Sequence, residues 1–149
     1  MNNLIYYLLA LCAGFGVATQ TGVNAQLRLV VGNPVIAALI SFLVGSFVLT
    51  TYVMFFQRET VGAFANVQGI SWHKLTGGVL GAFYVSVVII IAPKIGAANT
   101  TGLVVAGQIL LALLLDHFGL LGFVQHTFNV MRLIGAILLI AGVFLILKN

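Results

Sequence analysis

Long apolar runs, separated by short polar interruptions, follow one another along the whole chain. They extend over about residues 3–27, 34–56, 73–92, 96–115 and 131–147. Each run is continuous rather than alternating between apolar and polar positions, so each predicts a helix and not the strand of a membrane barrel. A bilayer core requires about 20 apolar residues per helix, and these runs have or approach that length. The pattern predicts a single all-α domain, residues 1–149, made of five transmembrane helices.

The interruptions contain residues that begin and end helices. Asn33 followed by Pro34 is typical of a helix start, because the asparagine side chain caps the helix and proline fits its first position. Residues 93–96 include a proline and a glycine, and they separate the third run from the fourth. The connections 60–70 and 119–130 are longer and mildly apolar, so we expect them to lie along the membrane interface.

The composition excludes a soluble fold. Hydrophobic residues make up 62% of the chain and charged residues 5%, with a mean hydropathy of +1.21, whereas soluble domains have about 25% charged residues. Six basic and two acidic residues cannot cover the surface of a soluble domain of this size, so the surface must face lipid. The basic residues are scattered singly rather than gathered in a patch, which gives no indication of a nucleic-acid partner.

The sequence indicates neither an enzyme nor a cofactor. It has no activated nucleophile, no phosphate-binding glycine loop and no pair of acid–base carboxylates. Asp116, His117 and His126 fit no strong metal-site spacing. Proton-coupled exporters of cations bury a carboxylate in the membrane, and here no charged residue lies in the middle of an apolar run. We expect Asp116, at the end of the fourth run, to meet water.

The basic residues are divided evenly between the two ends of the predicted helices. Arg58, Lys74 and Arg132 lie on the side of the N-terminus, and Arg28, Lys94 and Lys148 lie on the opposite side. Orientation in a bilayer follows an excess of Lys and Arg on the cytoplasmic side, and here there is no excess. The balance favours insertion in both orientations and an antiparallel dimer, which would supply the inverted repeat that many transporters carry within one chain. A fixed orientation, set by the N-terminal amine or by a partner, is the alternative.

Polar side chains inside the apolar runs are the candidate functional residues. Gln20, Asn24 and Arg28 are spaced four apart, so they lie roughly on one face of the first helix. The amides offer both donors and acceptors, and they suit either the binding of a polar solute or hydrogen bonds between helices. Tyr84 in the third helix and Gln108 in the fourth are further candidates for the lining of a cavity.

Small residues recur at the spacing by which membrane helices pack closely. Gly77 and Gly81 are four apart in the third run, and Ser41 and Gly45 are four apart in the second. Close packing of helices is the simplest interpretation of these pairs.

Five motifs together resemble one known family, the YdcZ-like five-helix branch of the drug/metabolite transporter superfamily in bacterial inner membranes. The motifs lie at residues 16–27, 32–45, 77–85, 107–122 and 135–143. The resemblance implies an unfused half of an inverted repeat that pairs with an oppositely oriented half. It also implies that the first four helices line a substrate cavity and that the last lies at the periphery or at a dimer contact. It names no substrate. Arg28 departs from the family pattern and suits either an anionic group or, as we expect, the lipid headgroups.

These observations give a hypothesis for function. Two antiparallel copies would transport a small solute by alternating access and would bind it through Gln20, Asn24, Tyr84 and Gln108. The alternatives are half of a heterodimeric transporter, and a non-transporting membrane assembly subunit in which the amides only join helices. A channel ranks last, because one copy has too few polar faces for a water-filled pore.

Overall fold

The computed structural model describes residues 4–62 and 70–148, and within those ranges the chain is helical and contains no strand. The long helices are α1 (Leu4–Val31), α2 (Pro34–Phe56), α3 (Thr76–Ile95), α4 (Ala97–Phe118) and α5 (Val130–Lys148). Short 3-10 turns lie at Trp72–Leu75 and Leu120–Gly122. All five long helices have the length and apolar composition needed to cross a membrane, so the predicted all-α class is confirmed. Of the segment predicted to follow the interface at 60–70, residues 63–69 lie outside the described residues, as do residues 1–3 and 149.

The link between α1 and α2 is formed by local capping. The Oδ1 atom of Asn33 accepts hydrogen bonds from the backbone N–H groups of Val35 at 2.8 Å and Ile36 at 3.2 Å, and Pro34 occupies the first turn of α2. Gly32 follows the end of α1, and its φ of +72° is a left-handed conformation that glycine adopts at little cost. Because α1 continues to residue 31 rather than to the predicted residue 27, Arg28 lies in its last turn.

Helix α3 runs through Pro93 and ends at Ile95, three residues beyond the predicted end. Proline has no N–H, so it cannot bond the carbonyl four residues earlier, and that carbonyl belongs to Ile89. A side chain from α1 supplies a donor at this point, as described below. Only Gly96, with φ +88°, separates α3 from α4.

The chain divides into two compact units, one ending at Pro93 and the other beginning at Lys94. In the first unit the core consists of Ala37 and Ala38 of α2 and Ile89 of α3, with α1 residues packed against it. The small alanines of α2 let α1 and α2 approach closely, which is how apolar helices associate in lipid. In the second unit α4 packs on α5, where a Cβ on Gly102 would lie 3.4 Å from the Cγ1 of Val143.

The glycine pairs differ in what they contact. A Cβ on Gly81 would lie 3.6 Å from the ring of Phe42 on α2, whereas a Cβ on Gly77 or Gly45 would meet no atom of the described chain within 4 Å. Close packing within one copy therefore accounts for Gly81, but it does not account for Gly77 or Gly45.

Candidate solute site

A small cavity lies between α1 and α3 in the first unit. Its lining consists of Gln20, Thr21, Asn24, Tyr84, Val85, Val88 and Ile89. It has a volume of about 10 Å³, which is enough for the centre of about one water molecule. Three of the four side chains predicted to bind a solute thus meet at one place.

Asn24 is the most buried polar residue of this lining, with 4% of its surface exposed. No described residue forms a hydrogen bond with its amide side chain, and no fully buried side-chain N or O atom in residues 4–62 and 70–148 lacks a partner. The amide atoms therefore keep a small exposed surface, and that surface faces the cavity. The neighbouring Thr21 is different, because its hydroxyl donates to the carbonyl of Val17 in its own helix at 3.0 Å.

Gln20 lies on the cavity and also on a larger groove between α1 and α2. The groove has a volume of about 260 Å³, and its lining consists of Gln20, Ser41, Phe42, Gly45, Ser46 and Leu49. The two serines add hydroxyl groups next to the amide, and no charged side chain is among the lining residues. The sequence predicts only helix packing for Ser41 and no role for Ser46. A lone serine in an apolar run gives little signal, because its hydroxyl can also bond its own helix.

Tyr84 lines the cavity, whereas Gln108 does not. Tyr84 is half-buried on α3 and contributes to the wall of the cavity opposite Asn24. Gln108 belongs to the second unit, where it is exposed on α4. An apolar groove of about 410 Å³ between α4 and α5 includes Thr101, one heptad earlier, but not Gln108.

The guanidinium of Arg28 donates hydrogen bonds to the backbone of α3, at a residue that lines the cavity. Its Nη1 atom donates to the carbonyl of Ile89 at 3.1 Å and lies 3.4 Å from the carbonyl of Ile90. The Ile89 carbonyl is the one that Pro93 leaves without its helical donor. The headgroup position of Arg28 stays a prediction, and the structure adds that its guanidinium donates to the backbone of α3. Pro93 inside an apolar run was the available signal for the unbonded carbonyl, but it did not identify the donor.

The acidic end of α4 is held in a local network in the second unit. Asp116 forms an ion pair of 3.3 Å with Arg132, with side chains 30% and 31% exposed, and Arg132 also donates to the carbonyl of His126. The Nδ1 atom of His117 accepts from the backbone N–H of Phe128 at 3.1 Å. These interactions fold the connection back onto α4. No three metal-ligating side chains are gathered anywhere in the described ranges.

Five apolar helices that are long enough to cross a bilayer define an integral membrane protein. The chain belongs to the family described as "Putative inner membrane exporter, YdcZ", which matches residues 5–145. Inner membrane protein YdcZ of Escherichia coli strain K12 is 30% identical over 150 residues, an alignment that covers 100% of this chain and 99% of that protein. No solved structure matches the chain. The family resemblance is thereby confirmed. The chain is a multi-pass inner-membrane protein, and its class of function is membrane transport.

Proposed function

We propose that this protein moves a small polar solute across the inner membrane, and that two antiparallel copies form the transporting unit. The observation that carries the proposal is the buried amide of Asn24, which faces a cavity and forms no hydrogen bond with the described residues. A polar group left unbonded inside a bilayer destabilises the protein. Such a group persists where a ligand or water completes its hydrogen bonds. Tyr84 and Gln20 extend the hydrogen-bonding surface around it, and Gln108 remains a solute contact predicted from the sequence.

The size of the cavity supports alternating access. One water-sized space is too small for a metabolite, so a solute would contact Asn24 and Tyr84 together only if their two helices moved apart. The groove next to Gln20 is larger, with a volume of about 260 Å³. A solute bound in the groove would reach Asn24 after α1 and α3 separate, and Gln20 lines both spaces.

The distribution of charge supports the antiparallel pair. Three basic residues on each side leave neither orientation favoured, and an inverted second copy would supply the repeat on which alternating access depends. Gly45 borders the groove and has room for a neighbouring helix. A second copy on this face would enclose the groove.

The test is transport by purified protein in liposomes. Vesicles are loaded with a defined mixture of charged and uncharged metabolites, and mass spectrometry measures what each vesicle population retains over time. We expect wild-type protein to release one or a few polar solutes that protein-free vesicles retain, and Asn24→Ala and Gln20→Ala to stop that release. The matched control is Thr19→Val on the same helix, because the exposed Thr19 hydroxyl bonds the carbonyl of Phe15 and lines neither the cavity nor the groove.

Release that continues unchanged in both amide variants would remove Gln20 and Asn24 from the site. If wild-type protein releases no solute from any vesicle, the chain is not a transporter by itself. Activity that appears only after a second, different family member is added would identify it as half of a heterodimer.

A further inference from the structure

Arg28 is the one basic side chain of α1, and it lies one turn beyond Asn24 on the same face. Its charge is the feature of this region that would decide whether the site accepts an anion. A guanidinium near the membrane interior is costly unless it is paired. Its partners are the backbone carbonyls of Ile89 and Ile90.

The position of Pro93 explains why those carbonyls accept. In a regular helix the N–H of residue 93 would donate to the carbonyl of Ile89, but proline has no N–H and its ring crowds that carbonyl. An unbonded carbonyl in lipid destabilises a helix. Arg28 donates to this carbonyl at 3.1 Å, so a side chain of α1 completes the hydrogen bonding of α3.

This bond also lies at the solute site. Ile89 lines the cavity that contains Asn24 and Tyr84, and it belongs to the core of the first unit. The bond between Arg28 and Ile89 therefore joins the two helices that carry the cavity walls.

We propose that Arg28 is a positioning residue and that the site takes an uncharged polar solute. Arg28 replaces the backbone hydrogen bond that Pro93 removes from α3, and it thereby holds the Asn24 and Tyr84 walls of the cavity together. The proposal rests on the proposed transport function for its second part. The polar groups around the cavity and the groove are amides, hydroxyls and a phenol, with no carboxylate, amine, guanidinium or imidazole among them. Such groups suit a solute that carries hydroxyl or amide groups and no net charge.

The first experiment measures the coupling between Arg28 and Pro93. Thermal unfolding midpoints are compared for wild type, Arg28→Ala, Pro93→Ala and the double variant, all as full-length protein in the same detergent. We expect Arg28→Ala to lower the midpoint by several degrees. We expect the same change to have a much smaller effect beside Pro93→Ala, because alanine restores the N–H that bonds Ile89. If Arg28→Ala yields no folded protein, recovery of folded protein in the double variant is the same result.

Arg58→Ala is the matched control. Its Nε atom also donates to a backbone carbonyl, that of Met54 at 2.7 Å, but on an exposed part of its own turn. We expect Arg58→Ala to change the midpoint little, and equally with and without Pro93→Ala. An equal loss from Arg28→Ala in both backgrounds would overturn the positioning role.

The second experiment uses the loaded liposomes and normalises release to the amount of folded protein, measured by size-exclusion chromatography. We expect the released solutes to be uncharged. We expect Arg28→Ala to slow their release per folded protein, and the double variant to recover the release rate although the guanidinium charge is still missing. If the wild type instead releases anions, and this release stops in both Arg28→Ala and the double variant, the proposal for Arg28 is overturned. The proposed transport function would still stand. A wild type that releases nothing would overturn the transport function, and the unfolding midpoints would still decide the role of Arg28.

Discussion

At the scale of single residues, Asn24 combines burial with the lack of a hydrogen-bond partner in the described chain. An amide that joined two helices would be bonded to the neighbouring helix, and removal of that bond would destabilise the protein. An amide kept for a ligand has the opposite effect, because it lowers stability while the ligand is absent. The sign of the stability change therefore distinguishes a solute site from a contact that only joins helices.

Asn24→Leu replaces the amide by an apolar group of similar size. We expect the free energy of unfolding to rise by about 1 kcal/mol, because an unpaired buried polar group is removed, and we expect transport to stop. The measurement is a denaturation curve in detergent beside the liposome assay. Thr21→Val is the control, because the Thr21 hydroxyl lines the same cavity but is bonded to Val17. A loss of stability in Asn24→Leu would identify the amide as a contact between helices.

The sequence predicts part of this site, for a physical reason. Helical periodicity places Gln20, Asn24 and Arg28 on one face whatever the rest of the fold does. The partner of Arg28 depends on which turn of α3 lies opposite α1, and local spacing carries no information about that. The exposure of the Ser46 hydroxyl to the groove likewise depends on how α2 is rotated toward α1.

At the scale of helices, the ends of α2 lie where the sequence predicts them, whereas α1, α3 and α4 continue beyond their predicted ends. Helix α2 begins at Pro34 and ends at Phe56, between its cap and the polar residues that follow it. Helix α3 continues past its predicted end and includes Pro93, and Arg28 donates to the carbonyl that Pro93 leaves without its helical donor.

Gly81 and Gly77 form a matched pair on α3. We expect Gly81→Leu to lower the free energy of unfolding by about 1–3 kcal/mol, because the added side chain must displace the ring of Phe42. Phe42 is 40% exposed and its ring can yield to a methyl group, so a larger residue than alanine is needed. Gly77→Leu meets open space within the described chain, and we expect it to leave the unfolding of a single copy unchanged. Denaturation of detergent-solubilised monomer measures both variants, and equal losses would contradict the distinction.

At the scale of the whole molecule, the proposed antiparallel pair depends on the distribution of charge. The basic residues are Arg58, Lys74 and Arg132 on the N-terminal side and Arg28, Lys94 and Lys148 on the other. Because the two sides are equal, one added or removed charge should shift the orientation of a large fraction of copies.

Lys74 lies just before α3 and Lys94 in its last turn, and both are exposed, which makes them a matched pair for testing orientation. Because the number of membrane crossings is odd, the two termini lie on opposite sides. We expect Lys74→Gln to place more C-termini in the cytoplasm and Lys94→Gln to place fewer there, since each change removes a positive charge from one side only. Fluorescent protein and alkaline phosphatase, fused separately to the C-terminus, measure the copies whose C-terminus lies on each side of the membrane. As controls, Lys74→Arg and Lys94→Arg keep the charge and should shift neither population. If wild type and every variant activate a single reporter, the orientation is fixed, and two copies of this chain cannot form the antiparallel transporter.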